Sequence, residues 1–230
     1  VLALARKALA ELLGTGLLVT AVVGSGIAAT RLSPGQAGLQ LLENALATGA
    51  ALVALILALG PVSAAFNPLV TLAEMALGAI SALEATVFAA AQFTGAVIGV
   101  VIAQLMYDLP AVDFSDHDRM SGGAFLSEAV ATFGLLLVVF GVVRAGGRQT
   151  VAIAVGAYIT AAYWFTSSTS FANPAVTVGR MFTDSFAGIA PGSVGPFVAA
   201  QAVGAALAVV VVRILYPRAA ELAADLGDAR

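Results

Sequence analysis

Apolar residues gather into six long windows, at residues 8–29, 45–61, 85–107, 122–143, 150–166 and 194–215. Within each, apolar side chains run round the whole helical circumference, as in a helix with no water-facing side. About 20 such residues cross the hydrocarbon core of a bilayer, so the pattern predicts six transmembrane helices. The longest polar interruption, Asp108–Ser121, holds Asp108, Asp113, Asp116, His117, Asp118 and Arg119, and it reads as a water-exposed loop. The first window runs on without a small-residue cleavage site and reads as a span, not a signal peptide.

Composition moves this from one option to the leading one. Of 230 residues, 60% are hydrophobic and only 10% charged, against roughly 25% charged in a soluble domain. A polytopic membrane protein is predicted, and a soluble helical bundle is not. One His and no Cys exclude disulfides and thiol chemistry and leave no ligand set for zinc or haem; neither metal nor cofactor is expected. A net charge of −3 gives no footprint for nucleic acid. With six spans both termini share a side. That side carries Arg6, Lys7, Arg144, Arg148, Arg213, Arg218 and Arg230, against Arg31, Arg119 and Arg180 on the other, which places both termini in the cytoplasm.

The windows repeat. Glu11 in Ala-Glu-Leu-Leu-Gly-Thr-Gly-Leu-Leu is matched by Glu128 in Ser-Glu-Ala-Val-Ala-Thr-Phe-Gly-Leu-Leu. Ala91-Gln92-Phe93-Thr94-Gly95-Ala96 recurs as Ala200-Gln201-Ala202-Val203-Gly204-Ala205, and Phe66-Asn67-Pro68-Leu69-Val70-Thr71 as Ala172-Asn173-Pro174-Ala175-Val176-Thr177. The offsets of 117, 109 and 106 residues keep their order, as one duplication would, with repeat one at 1–110 and repeat two at 120–218. Three spans per copy is an odd number, so the second copy crosses in the opposite sense.

Asn67–Ile80 and Asn173–Phe186 are too short to span and too apolar to lie in water. A half-helix of about 10 residues at about 1.5 Å rise reaches half the hydrocarbon thickness. Each is expected to dip in from its own side, so that the two Asn-Pro turns meet near the midplane, where irregular backbone is tolerated only inside protein or beside a water-filled path. Pro suits the first helical position and Asn the cap before it. With its oxygen held by backbone, an Asn amide can turn its N–H donors to a pore. Two facing helix N-termini add positive potential that disfavours cations there.

This constellation closely resembles the aquaporin, or major intrinsic protein, family over essentially the whole chain. The resemblance implies an all-α, right-handed bundle of six transmembrane helices plus two re-entrant half-helices, arranged as an inverted repeat. The pore motifs would be Asn67-Pro68-Leu69, a departure from Asn-Pro-Ala, and Asn173-Pro174-Ala175, a full match. Glu11 and Glu128 would support the re-entrant loops. Counting from the motifs carries the outer filter onto Thr48, Ala161, Ser170 or Phe171, and Val176, where the family usually has Arg; ordinary helix packing remains the other reading of Thr48 and Ala161. Arg180, one turn further on, either edges the vestibule or anchors the helix end by pairing with Asp184 at i,i+4.

A filter without Arg and His is expected to be wider and less polar than a water filter. It would pass water, polyols such as glycerol, and neutral metalloid hydroxides such as arsenite. Ser167-Ser168-Thr169-Ser170-Phe171-Ala172-Asn173-Pro174-Ala175-Val176 also resembles a bacterial aquaporin subgroup associated with arsenic resistance. The alternatives are a water-selective pore and a secondary transporter with an inverted-repeat midplane site. The partners expected are water, small neutral solutes and the lipid bilayer. The resemblance implies a homotetramer with one pore per chain, and the short loops favour a bacterial inner membrane. Gly95-Ala96 with Gly99, and Gly204-Ala205-Ala206, suit close helix approach within or between chains.

Overall fold

The computed structural model describes residues 2–143 and 148–216. Their elements are α1 (Leu2–Leu32), α2 (Ala37–Leu59), α3 (Pro68–Ala76), α4 (Ala82–Met106), α5 (Gly122–Val143), α6 (Arg148–Phe165), α7 (Pro174–Arg180) and α8 (Pro191–Leu215). Five helices, α1, α2, α4, α5 and α8, are long and apolar enough to cross a membrane, and Thr150–Phe165 of α6 is a shorter apolar sixth. The chain is therefore a multi-pass membrane protein, all-helical among the described residues. The half-helices α3 and α7 end earlier than Ile80 and Phe186, at Ala76 and Arg180. Arg144, Arg218 and Arg230 lie outside the described residues, as does the end of repeat two.

The windows find every long helix but shorten several. α2 starts at Ala37 rather than 45 because its polar first turns are partnered. Gln40 donates to Ser33 O at 2.7 Å, Glu43 accepts from Ser33 Oγ at 2.7 Å, and Asn44 donates to Val22 O at 2.8 Å. α1 likewise runs from Leu2 through Arg6 and Lys7 and on to Leu32.

Inside and outside are inverted relative to a water-soluble bundle. Leu9, Leu13 and Leu17 of α1 and Val203, Leu207, Val210 and Ile214 of α8 are exposed, while Glu11, Gln92, Glu128 and Gln201 are completely buried. Lipid tails are as apolar as leucine, so outward leucines are stable there and helix association rests on close packing and polar contacts. That packing is tightest where α1 meets α4 and α5 meets α8. A Cβ on Gly95 would run into Leu12 O, one on Gly99 into Gly16 O, and one on Gly204 into Ala129 O. The small-residue patterns thus serve contacts within the chain. Each pair of helices in the first half has its counterpart in the second, and the short helices α3 and α7 follow the two Asn-Pro motifs.

The paired Asn-Pro turns as candidate functional site

Asn67 caps α3 and Asn173 caps α7, each in extended backbone with Pro at the first helical position. Asn67 Oδ1 accepts from Leu69 N at 2.9 Å; Asn173 Oδ1 accepts from Ala175 N at 3.0 Å and Val176 N at 3.3 Å. With both oxygens held, the amide nitrogens are oriented, and they reach across. Asn67 Nδ2 donates to Ala172 O and Asn173 Nδ2 donates to Phe66 O, both at 2.7 Å. Each turn therefore closes on the carbonyl that precedes the other Asn. One N–H of each amide is spent on this bond, so a single donor per Asn remains for anything passing by.

The accepting carbonyls belong to strained residues. Phe66 has φ 50° and Ala172 φ 48°, the left-handed region that costs a residue with Cβ about 1–2 kcal/mol. Buried carboxylates hold them there. Glu11 accepts from Phe66 N at 2.7 Å, Ala65 N at 2.9 Å, Gln92 Nε2 at 2.8 Å and the Ser63 hydroxyl. Glu128 accepts from Ala172 N at 2.9 Å, Phe171 N at 2.9 Å, Gln201 Nε2 at 2.6 Å and Ser168 Oγ at 2.6 Å. Gln92 and Gln201 donate onward to Thr71 Oγ1 and Thr177 Oγ1, at 3.0 and 2.9 Å, tying each carboxylate to its half-helix. A carboxylate inside a span needs such partners, and here they are amide and hydroxyl donors. Gln92 and Gln201, noticed in the sequence only as repeat markers, belong to this network.

Toward the face opposite the N-terminus, the structure rearranges the residues counted onto a filter. Thr48 is buried, with Oγ1 3.1 Å from Tyr163 OH. Ala161 does not join it. It shares the exposed stripe of α6 with Ile153, Ala157 and Trp164, and Tyr163 is the α6 residue beside Thr48. The buried face of α6 carries Val155, Ile159, Ala162 and Tyr163, a pattern at helical period that the count did not use. Ser170 and Phe171 are both buried, Ser170 at φ 52° with its hydroxyl unpartnered. Val176 is buried among apolar neighbours.

Arg180 is not a surface anchor. It is 2% exposed, its guanidinium carbon lies 3.4 Å from the centroid of the Phe171 ring, and its Nε donates to Ala187 O. Nor does Asp184 pair with it: Asp184 Oδ1 instead accepts from Asp116 N at 3.1 Å and Ser115 Oγ at 3.3 Å, with His117 Nδ1 at 3.4 Å. Those bonds tie the loop 107–121 to the segment 181–190, helped by Asp113 N to Phe182 O and Ser115 N to Met181 O. The same loop delivers Arg119. Its Nε donates to Gly188 O at 2.7 Å and Nη2 to Phe186 O at 3.1 Å, and its guanidinium lies 5.2 Å from the Phe171 centroid. Burial pushes the Arg119 guanidinium below its ordinary pKa, against the fields of Tyr163 and Glu128, which push it back up. Next to it, the Met120 N–H and then the Ser193 hydroxyl hold Asp118 below the usual carboxylate range. A cavity of about 280 Å³, lined by residues 118–121 with Ala124, Ser167 and Ser168, opens beside this cluster.

Comparison with known proteins agrees with this arrangement. Residues 1–150 match the family described as Major intrinsic protein. Over 213 residues the chain is 48% identical to aquaglyceroporin AqpS of Rhizobium meliloti (strain 1021), covering 92% of this chain and 91% of that protein. Aquaporin-5 of Homo sapiens is 33% identical over 144 residues, 59% of this chain and 51% of that one. The X-ray structure of the aquaglyceroporin from Plasmodium falciparum superposes with a TM-score of 0.75 at 22% identity, over 94% of this chain and 98% of that chain, a likeness of fold. With a family match over most of its length and a near-full-length relative, the chain belongs to the major intrinsic protein family and is a membrane channel, not an enzyme.

Proposed function

We propose that the chain is a passive pore for small uncharged solutes, wider than a strict water channel: water, glycerol and other polyols, and neutral metalloid hydroxides such as arsenite. The observation that carries this reading is Val176, an apolar side chain directly after the second Asn-Pro-Ala and buried beside the turn. A branched aliphatic there leaves more bore, and less competition for solute hydroxyls, than a guanidinium. The relative at 48% identity is itself named an aquaglyceroporin. Arsenous acid presents three hydroxyls on a small neutral centre, as glycerol does on a carbon chain, and the stretch 167–176 resembles the subgroup associated with arsenic resistance.

In this reading the remaining N–H donors of Asn67 and Asn173 hand solutes past the midplane, and Pro68, Leu69, Pro174 and Ala175 shape the two turns. Glu11 and Glu128 hold the loops. Thr48, Ser170, Phe171 and Val176 line the filter with Tyr163 in place of Ala161, and Arg180 edges it. The repeats at 1–110 and 120–218 form one channel domain, four of which assemble in a bacterial inner membrane with termini in the cytoplasm.

One observation favours a narrower bore. Tyr163 stands beside Thr48, and Arg180 stacks on Phe171, so large side chains adjoin two of the counted positions. Stopped-flow swelling of proteoliposomes against glycerol, arsenous acid and an impermeant osmolyte separates the two readings. Fluxes of glycerol and arsenous acid alongside water support the wide pore; water flux alone overturns it in favour of a water-selective one.

A further inference from the structure

An arginine is missing at position 176, but cationic charge is not missing from this end of the molecule. Arg180 reaches the Phe171 ring from the last turn of α7 and Arg119 reaches the same ring from the loop 107–121. Three consecutive carbonyls of one segment hold them: Phe186 O and Gly188 O take Arg119, and Ala187 O takes Arg180. Burying a guanidinium is costly unless its donors are met, and a backbone turned to meet two of them marks a built feature.

The acids close in sequence do not neutralise the pair. Asp184 is occupied by Ser115, Asp116 and His117, and Asp118 Oδ1 accepts from Ser193 Oγ at 2.8 Å and Met120 N at 2.9 Å. The buried Glu128 carboxyl is spent on Ser168, Phe171, Ala172 and Gln201, so neither guanidinium has an ion-pair partner among the described residues. Phe171, whose N–H is fixed by Glu128 and whose ring stands edge-on to Phe197 at 5.3 Å, is a rigid platform for both guanidiniums.

We propose that Arg119 and Arg180, held against Phe171, are the cation-excluding charges of this channel, moved off position 176 so that Val176 sets the bore and the arginine pair sets the charge. The inference rests on the pore reading above and adds a specificity determinant from a loop to it. Width and charge, joined in one side chain when an arginine follows the motif, are here carried by separate residues.

The test is ion permeability, measured as Na⁺ and H⁺ currents in planar bilayers, with immunoblotted protein and water flux in matched vesicles reporting that the channel is inserted. The double variant Arg119→Gln, Arg180→Gln is expected to gain Na⁺ and H⁺ permeability by roughly tenfold, the order supplied by two unit charges screened to nearly the dielectric of water. Adding Val176→Arg to it is expected to restore exclusion, a rescue that a damaged fold does not show. Arg119→Gln alone, in a loop, is expected to gain roughly threefold and keeps the question open to measurement if the buried Arg180 variant does not insert. Unchanged ion permeability in an inserted double variant, or in Arg119→Gln when that alone inserts, overturns the inference. So does an unaltered channel that conducts Na⁺ freely. Absence of any solute flux through the unaltered channel is a different result, and it defeats the pore reading instead.

Discussion

Around Asn67 one left-handed residue, Phe66, precedes the turn; around Asn173 there are three, Thr169, Ser170 and Ala172. The first half-helix ends at Ala76 and runs into Gly78 at φ 86°, with Leu77 buried. The second ends at a buried arginine stacked on an aromatic ring. What the two turns share is the carboxylate with four donors, the amide of a glutamine, and the reciprocal asparagine bond. What differs lies outside that shared network, in the second turn's longer approach and in Arg180. The common part supports the turn and is under the same constraint in both halves. The second turn's additions are the part left to set selectivity in the proposed pore.

The sharpest way to break that comparison is to remove the carboxylates one at a time. Glu11→Leu and Glu128→Leu each strand four donors, at about 1–3 kcal/mol apiece, and both are expected to abolish folded channel, read as loss of detergent-stable protein and of glycerol flux. Survival of one variant but not the other would show that the halves do not share a support. Next come Asn67→Ala and Asn173→Ala, which lose a cap and a cross-turn bond, about 2 kcal/mol each. Thermal unfolding in detergent is expected to drop by about 4–8 °C for either, and unequal drops would shift the weight to one turn. Val176→Arg acts on the asymmetric part: glycerol flux is expected to fall by about tenfold relative to water, and an unchanged ratio would remove Val176 from the constriction. The smallest effect is on α6. Tyr163→Phe loses its bond to Thr48, about 1 kcal/mol, and is expected to shift the glycerol-to-water ratio, whereas Ala161→Val stays within about 0.5 kcal/mol with the ratio unmoved.

Symmetry explains what was legible beforehand. The six windows, the ordered repeat and the two Asn-Pro turns rest on patterns that recur, and recurrence survives errors of a residue or two. Window edges moved where polar residues found partners, as Gln40, Glu43 and Asn44 did at the start of α2. The proposed filter was less legible because it is where the repeat fails. Counting left Ser170 and Phe171 as alternatives, and a count of residues does not know which way a helix faces, so it did not single out Tyr163 beside Thr48. Arg119 had no sequence signal at all: it sits in an acidic loop, and only the folded segment 186–188 brings it to Phe171. Arg180 was visible, but its i,i+4 neighbour Asp184 suggested a surface pair, while the chain leaves the helix at once and carries that carboxylate away to Ser115.

The reciprocal bond between Asn67, Asn173 and the two strained carbonyls also bears on how the protein is made. A first half synthesised and inserted alone has Asn67 without Ala172 O and Phe66 O without Asn173, so its turn is held in a left-handed conformation with its outer bonds unmade. The second half, arriving later from the ribosome, completes both at once. Folding of the two halves is thereby coupled, because a chain interrupted between them leaves the Asn67 amide and the Phe66 carbonyl without these partners.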